Sequence, residues 1–292
     1  MNSLIQENVP MHSYTSFKVG GPARYFAEPS SLLEIREVLQ WCAQAKAPIF
    51  VVGKGTNLVV ADEGYDGLIL HLGKRFSGIQ IQYNTLICDA GCLLNSAVKS
   101  AVDAGLAGIE NLGGIPGTLG GGAFINAGAL DQELCQVISK VTTLDAEGKL
   151  TERNNAECDF SYRHSGLMNY AEIIVQVELT LRPADPVILR EQMNAILLKR
   201  RDKQPLDLPN AGSMFKRPPG GFAGVFIEKS GLKGFRVGDA AVSEKHANFV
   251  VNLGHATAQQ IWELTKQIIA KVQADHGVTL EREVIFLGMG KV

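Results

Sequence analysis

The sequence lacks the features of a secreted, membrane-spanning or metal-stabilised protein. Its five cysteines are an odd number without a CxxC pair, and no histidine cluster completes a zinc set, so we expect reduced, mostly buried thiols and no metal site. No apolar run approaches the ~18–20 residues that span a bilayer. Residues 1–17 show neither the basic region nor the apolar core of a signal peptide. We therefore expect a cytoplasmic protein without a membrane partner.

Strong charge of either sign is also missing. The 28 basic and 30 acidic side chains give a net charge of −2, which does not indicate nucleic acid as a partner. Hydrophobic residues make up 46% of the 292 residues, enough to bury a large core without disulfides. The length favours about two domains. We expect small-molecule partners and a monomer.

Glycine is the residue type in excess, with 31 copies in 292 residues. Seven of them fall within residues 113–128, and there is no collagen-like period. Further glycines occur in 20–23 and in 53–58, which follows the apolar run 49–52. Glycine lets backbone N–H groups approach an anion closely, so several such loops suggest a ligand with a pyrophosphate. A single such segment is equally typical of a tight turn, but seven glycines in residues 113–128 impose an entropic cost that favours a loop holding a ligand.

Two common nucleotide motifs are excluded at residues 53–58. A Rossmann fingerprint needs a third glycine where Leu58 stands. A P-loop fails because Gly55 separates Lys54 from Thr56, and because Pro48 stands where its first glycine is needed.

The hydrophobic periodicity predicts an α+β protein rather than a doubly wound parallel sheet. Helices are predicted at about 32–45, 93–104, 187–199 and 257–276, the first and last with capping boxes at Ser31/Glu34 and Thr257/Gln260. Strands are predicted at 23–27, 49–52, 68–70, 79–89, 136–145, 172–181 and about 278–287, with a hairpin turn at 146–149. Two prolines in 181–186 predict a boundary. The predicted division is 1–183, with subdomains of about 1–75 and 76–183, followed by 184–292.

Several motifs resemble one known family. The segments GKGTNLVV (53–60) and GGIPGTLGGGAFINAGA (113–129) are similar to the flavin-binding loops of the UDP-N-acetylenolpyruvoylglucosamine reductase family. The similarity continues in the family's order from about Thr15 to Gly288, through 161–163, 210–216, 241–243, 246–249 and 280–284. The short chain, without an extra insertion, looks like the shorter second type.

The resemblance implies a non-covalently bound FAD in a two-subdomain domain of the vanillyl-alcohol-oxidase type, followed by a smaller α+β substrate-binding domain. It also implies NADPH as hydride donor and reduction of the enolpyruvyl ether of UDP-N-acetylglucosamine to UDP-N-acetylmuramate, in peptidoglycan precursor synthesis. The implied cofactor-binding residues are Gly53, Lys54, Gly55, Thr56, Asn57, Leu58, Gly114, Ile115, Pro116, Gly117, Thr118, Gly121, Gly122 and Asn126. The implied substrate-binding residues are Tyr162, Arg201, Lys216 and Asn210.

Three catalytic residues follow from the same resemblance. Ser213 fits a proton donor, aided by a neighbouring cation such as Lys216. Arg163 fits a clamp on the substrate carboxylate, because a guanidinium matches a carboxylate in bidentate geometry. Glu283 completes the set, either hydrogen-bonding that carboxylate or orienting it. Glu281 would face the same side of a strand, so spacing alone does not choose between the two, and the family motif selects Glu283.

Two positions depart from the family's pattern. Arg217-Pro218 replaces the more frequent Asn-Pro, and Lys54 interrupts an all-glycine run, which places a cation near the flavin phosphates. Residues 199–217 hold six basic side chains against two acidic ones. This stretch suits a UDP-sugar, although such runs are usually solvated turns.

Two other functions remain open from the residues alone. An oxidase on the same flavin fold would keep the glycine loops without needing Ser213, Arg163 and Glu283. A nucleotide-binding regulatory protein would bind a ligand without turnover.

Overall fold

The computed structural model describes residues 3–129 and 132–289. The chain forms two compact units, each built from three separate segments. Unit 1 comprises residues 1–6, 25–54 and 67–200, and unit 2 comprises residues 7–24, 55–66 and 201–292. The boundaries predicted near residues 75 and 183 do not coincide with the ends of these segments, because local breaks such as prolines carry no signal for a chain that returns to an earlier unit.

The elements of the described residues are as follows. The α-helices are α1 Leu32–Ala45, α2 Leu94–Asp103, α3 Leu119–Phe124, α4 Pro186–Lys203, α5 Ala223–Lys229 and α6 Ala258–His276. The strands are β1 Ile5–Pro10, β2 Pro22–Ala27, β3 Ile49–Val52, β4 Leu58–Val60, β5 Tyr65–His71, β6 Ile79–Gln82, β7 Thr85–Asp89, β8 Leu106–Ala107, β9 Gly128–Ala129, β10 Gln132–Glu133, β11 Ile138–Leu144, β12 Leu150–Asn154, β13 Ile173–Thr180, β14 Arg182–Pro183, β15 Asn210–Ser213, β16 Arg236–Val237, β17 Ala240–Val242, β18 Phe249–Asn252 and β19 Ile285–Leu287.

Unit 1 contains an antiparallel sheet in the order β12-β11-β13-β7-β6. The predicted turn at 146–149 closes the β11–β12 hairpin, where Asp145 N donates to Lys149 O. A second sheet has the order β1-β2-β5-β3, and β3 runs parallel to β5. The chain passes between units within β1, β2 and β5 of this second sheet. Buried apolar residues of α1, α2 and these strands form one core cluster.

Unit 2 contains the antiparallel sheet β15-β18-β17-β16 and the parallel pair β19–β4. Its core cluster draws Phe17 and Val19 from the first segment and Val59 from the second. These join apolar residues of β18, α5 and α6 from the third. All three segments are therefore needed to complete this core.

The predicted helices are confirmed, with differences at their ends. α6 has both halves of the Thr257/Gln260 capping box and ends at Gly277 with φ +68°. Ser31 caps α1 through Glu34 N, but the Glu34 carboxylate accepts from Ser30 N rather than from Ser31 N. The final strand covers Ile285–Leu287 instead of 278–287, because it pairs with the three-residue β4 rather than with a neighbouring hairpin strand.

The five cysteines are free thiols, as predicted. Burial raises the pKa of Cys42 and of Cys158 to about 11, so both are poor nucleophiles at neutral pH. Among residues 3–129 and 132–289, no cluster of metal-ligating side chains is found. Within the same residues, no helix has the length and hydropathy needed to cross a bilayer.

Candidate functional site

The two glycine loops of unit 1 touch each other. The first begins at Gly53, directly after β3, and the second contains Thr118, the N-cap of α3. A Cβ on Gly53 would lie 2.2 Å from Thr118 Oγ1, so only glycine allows this approach. Gly53 and Thr118, with their neighbours Lys54 and Gly117, therefore form one surface of unit 1.

That surface offers backbone donors. Among the described residues, the N–H groups of Gly53, Lys54, Gly117 and Thr118 have no hydrogen-bond partner. By contrast, Gly121 N and Gly122 N donate to Thr118 Oγ1 and Thr118 O. Unpaired N–H groups in glycine-rich loops suit the oxygens of a pyrophosphate. On this observation the residues present fit the phosphates of an FAD.

The second half of the 53–58 loop belongs to unit 2 and is fixed from within it. Gly55 has φ +64°, and a Cβ there would lie 2.0 Å from the carbonyl oxygen of Tyr14. Ser16 N donates to Gly55 O at 3.0 Å. Asn57 donates through Nδ2 to Glu283 O at 3.2 Å, so the side chain of this predicted cofactor residue is engaged with the chain itself.

Gly114, with φ +81°, lies against an arginine that sequence reasoning missed. A Cβ on Gly114 would come within 2.9 Å of both Cδ and Nε of Arg200. Arg200 Nε is buried without a hydrogen-bond partner among the described residues, and burial lowers the pKa of this guanidinium. The sequence favoured Arg201 as a ligand-binding residue instead. Arg201 is exposed, and its Nε lies 3.5 Å from Asp202 Oδ1.

A signal for Arg200 was present in the helical spacing. Met193, Leu197 and Arg200 follow one another at i, i+4 and i+7 on α4, and all three line positions 113–114. Reading the basic run by helical face rather than by charge alone would have selected Arg200.

Other predicted cofactor residues in this loop have internal roles. Asn126 is fully buried and donates from Nδ2 to Glu133 Oε2 and to Ser161 O, while its Oδ1 accepts from Cys135 N. Both amide donors are thus used inside unit 1. Gly122 is buried, and a Cβ there would lie 2.7 Å from Leu134 Cδ1. Ile115 packs partly against the core and Pro116 is exposed.

Arg163 occupies a strained backbone position in unit 1. It has φ +53° within a tight turn closed by hydrogen bonds between Ser161 and His164. Its Nη2 donates to Gly128 O at 3.1 Å, and its guanidinium lies 5.0 Å from the ring centroid of Tyr162. A non-glycine residue with positive φ costs about 1–2 kcal/mol and is common at functional sites.

Ser213 ends β15 in unit 2, directly after Gly212 with φ +76°. Its hydroxyl is partly buried and has no hydrogen-bond partner among the described residues. The turn before it is fixed by Asn210, whose Oδ1 accepts from Gly212 N and whose Nδ2 donates to Pro205 O and Leu208 O. The Asn210 side chain, predicted to bind substrate, therefore shapes the Ser213 turn.

Glu283 lies on the segment that runs next to Ser213. Glu283 N donates to Met214 O at 2.9 Å, and Phe215 and Arg282 form an isolated antiparallel β-bridge. The structure thus brings together two of the three predicted catalytic residues within unit 2. Arg163 belongs to unit 1.

Lys216 and Glu281 form an ion pair. Lys216 Nζ lies 2.5 Å from Glu281 Oε1, and Lys216 N donates to Glu281 O at 2.9 Å. The ion pair distinguishes Glu281 from Glu283, whereas the spacing of the two glutamates in the sequence does not. It also gives Lys216 a carboxylate partner other than a ligand.

Unit 2 also contains a cleft of about 510 Å³. Three basic side chains line it, from Arg201, Arg236 and Lys245. Asp207 and Glu244 lie among them, together with apolar residues of β17 and β18. A cleft of this size with several cations suits a ligand that is partly anionic and partly apolar.

Known proteins resemble the chain over nearly its whole length. The UDP-N-acetylenolpyruvoylglucosamine reductase 2 of Symbiobacterium thermophilum is 42% identical over 97% of this chain and 92% of its own. The corresponding reductase of Pediococcus pentosaceus is 39% identical over 98% of this chain and 95% of its own. The chain belongs to the UDP-N-acetylenolpyruvoylglucosamine reductase family.

Family models and a solved structure agree with this membership. The C-terminal domain of UDP-N-acetylenolpyruvoylglucosamine reductase matches residues 204–287, and an FAD-binding domain matches residues 23–153. The crystal structure of the reductase (MurB) from Thermus caldophilus superimposes with a TM-score of 0.84 at 33% identity, covering 97% of this chain and 99% of that one. The predicted fold class, α+β with an FAD-binding domain, is confirmed.

Proposed function

We propose that this chain reduces the enolpyruvyl ether of UDP-N-acetylglucosamine to UDP-N-acetylmuramate, a step of peptidoglycan precursor synthesis, with bound FAD and with NADPH as hydride donor. The observation that carries the proposal is that Ser213, whose hydroxyl has no hydrogen-bond partner among the described residues, lies in unit 2 beside the segment that bears Glu283. Family membership and the FAD-binding domain model support the same reaction.

The glycine loops are proposed to hold the cofactor. The N–H groups of Gly53, Lys54, Gly117 and Thr118 would donate to the FAD pyrophosphate, with the exposed Lys54 adding a positive charge beside it. When bound, FAD supplies hydride transfer from NADPH to the terminal methylene carbon of the enolpyruvyl group.

The chain's own side chains then handle charge and a proton. As hydride adds to the methylene carbon, negative charge develops at the adjacent carbon and spreads onto the substrate carboxylate. Arg163 is proposed to neutralise that carboxylate through its guanidinium, and Glu283 to orient it. Ser213 is proposed to donate its hydroxyl proton to the adjacent carbon. A serine is a weak acid, so this step requires a strongly basic carbon and a hydroxyl aimed in advance.

Substitution of Ser213 by alanine tests this assignment. In Ser213→Ala, NADPH should reduce the flavin at the wild-type rate, because no proton is donated to the substrate carbon in that half-reaction. Reoxidation by the enolpyruvyl substrate should fall by about 10²–10⁴-fold, the usual contribution of a positioned proton donor. Stopped-flow absorbance of the flavin measures both half-reactions separately.

Ser77→Ala is the matched control, because the hydroxyl of this partly buried serine donates to Lys74 O and makes no other hydrogen bond within the described part of the chain. Normal reoxidation in Ser213→Ala would overturn the proton-donor role. Reduced wild-type flavin that reacts with oxygen but not with the enolpyruvyl substrate would instead favour an oxidase. A purified protein without flavin would contradict both enzymes.

A further inference from the structure

Asn248 is a buried amide that holds the main chain next to Ser213. It is 8% exposed. Its Oδ1 accepts from Phe215 N at 3.1 Å and its Nδ2 donates to Phe215 O at 2.9 Å, so one side chain satisfies both polar groups of a single residue. The main-chain oxygen of Asn248 accepts from Met214 N at 2.7 Å.

The side chain replaces a strand partner that is missing here. The β15–β18 ladder pairs Ser213 with Phe249. Before Phe249 the chain turns away, because Phe249 N donates to His246 O and Asn248 N donates to His246 Nδ1. Phe215 is 1% exposed, so its N–H and C=O groups cannot turn to water instead.

The opposite edge of the same segment carries Glu283. Met214 O accepts from Glu283 N, and Lys216 N donates to Glu281 O. Residues 213–216 therefore lie between Asn248–Phe249 on one side and Glu281–Glu283 on the other, joined to both by main-chain hydrogen bonds or pairing. The Asn248 amide fixes the position of Phe215 in this segment, and with it the position of Ser213 relative to Glu283.

We infer that Asn248 is a positioning residue for proton donation by Ser213, acting through the main chain of Met214 and Phe215 without touching substrate. The inference rests on the proposed function, since it assigns Ser213 its proton-donor role. Proton transfer is sensitive to displacement of the donor by fractions of an ångström, whereas binding of FAD by the glycine loops does not involve Asn248.

The sequence offers a matched pair of buried asparagines for the test. Asn248→Asp keeps the acceptor for Phe215 N and places a carboxylate oxygen against Phe215 O. Asn252→Asp makes the same exchange three residues beyond Phe249, where Asn252 is 2% exposed and donates from Nδ2 to Phe17 O at 2.9 Å. Its Oδ1 accepts from Gly254 N and Ala256 N. Both variants lose one buried amide donor, but only the first lies beside Ser213.

The holoenzyme variants are compared by stopped-flow kinetics in H₂O and D₂O. In Asn248→Asp, reoxidation of the flavin by the enolpyruvyl substrate should slow by about 10–100-fold, with flavin reduction by NADPH unchanged. The solvent deuterium isotope effect on reoxidation should increase, because proton donation becomes slower than hydride transfer. Asn252→Asp should lower the unfolding midpoint to a similar extent and leave the reoxidation rate and its isotope effect at wild-type values.

Hydrogen exchange supplies a readout that does not depend on activity. A peptide covering residues 213–216 should exchange faster in Asn248→Asp than in the wild type or in Asn252→Asp. If Asn248→Asp does not fold, Asn248→Ser is judged by the same measurements.

Wild-type reoxidation and a wild-type isotope effect in the Asn248 variant, together with faster exchange of residues 213–216, would overturn the inference. Equal losses of reoxidation in both variants would also overturn it, because they would show a general effect of a damaged core. Failure of the wild type to transfer hydride to the substrate would instead reject the proposed function itself.

Discussion

At the scale of single residues, glycine conformation and close packing determine what the 53–58 loop tolerates. Gly55 combines a positive φ with a main-chain contact that leaves no room for a methyl group. Gly231 shares the positive φ, at +69°, but apart from its two chain neighbours no described residue has an atom within 4 Å of its hypothetical Cβ. The two positions therefore separate backbone strain from steric overlap.

We expect Gly231→Ala to lower the free energy of unfolding by about 1 kcal/mol, the penalty for a left-handed alanine. Gly55→Ala should lower it by about 2–4 kcal/mol, because overpacking against the Tyr14 carbonyl adds to the same penalty. Urea denaturation of the apoprotein measures both without a contribution from bound flavin. Equal losses of unfolding free energy in the two variants would show that the loop relieves the overlap with the Tyr14 carbonyl without a further loss of stability.

Residue types in a motif are readable from sequence, but their partners are not. Asn126, Asn210 and Lys216 were predicted to contact ligands, and the structure shows their side chains bonded within the protein. An asparagine that shapes a turn and one that binds a phosphate leave the same letter in the sequence. The structure places Ser213 beside the segment that bears Glu283, and the catalytic roles of both residues stay predictions.

At the scale of elements, the turn before β18 depends on a neutral histidine. His246 Nδ1 accepts from Asn248 N, which requires an unprotonated nitrogen. Burial holds the pKa of His246 below its ordinary value, and the positive charge of Lys233 lowers it further, while Glu228 opposes this. As pH falls through about 6.5, the unfolded chain takes up this proton before the folded one.

The stability contributed by His246 is therefore present above about pH 6.5 and lost as pH falls below it. In His246→Gln, the drop in unfolding free energy between about pH 7.5 and about pH 5.5 should be smaller than in the wild type. Chemical denaturation at the two pH values measures it, with the exposed His255→Gln as control. An unchanged drop in His246→Gln would contradict this assignment.

Elements with local signals were predictable, whereas those defined by distant partners were not. The Thr257/Gln260 box and Gly277 fix both ends of α6 within its own sequence. β19 is defined by its parallel pairing with β4, and no local pattern distinguishes its three residues from 278–284.

At the scale of the whole molecule, the two units cannot be cut apart at one peptide bond. Unit 2 takes Phe17, Val19 and Val59 into its core from segments that precede residue 201. The predicted boundary near residue 183 used prolines, which report a local break but not which core the flanking chain joins.

A fragment of residues 201–292 should therefore lack a cooperative unfolding transition. It would leave β19 without β4 and expose core positions normally covered by Phe17 and Val59. Joining residues 7–24 and 55–66 to it through flexible linkers should restore cooperativity in a urea titration followed by circular dichroism. A cooperative transition in the fragment alone would contradict this prediction, because it would show that residues 201–292 form a complete core without the earlier segments.

The β4–β19 pairing also constrains how the protein is made. On the ribosome, Leu58–Val60 emerges long before Ile285–Leu287, so the nascent chain carries this apolar strand without its partner while the residues between them are synthesised. Asn57 likewise emerges long before Glu283, whose main-chain oxygen accepts its side-chain hydrogen bond. We expect these residues to need protection from aggregation in the nascent chain, and the hydrogen bond between Asn57 and Glu283 to form only after the segment with Glu283 has emerged.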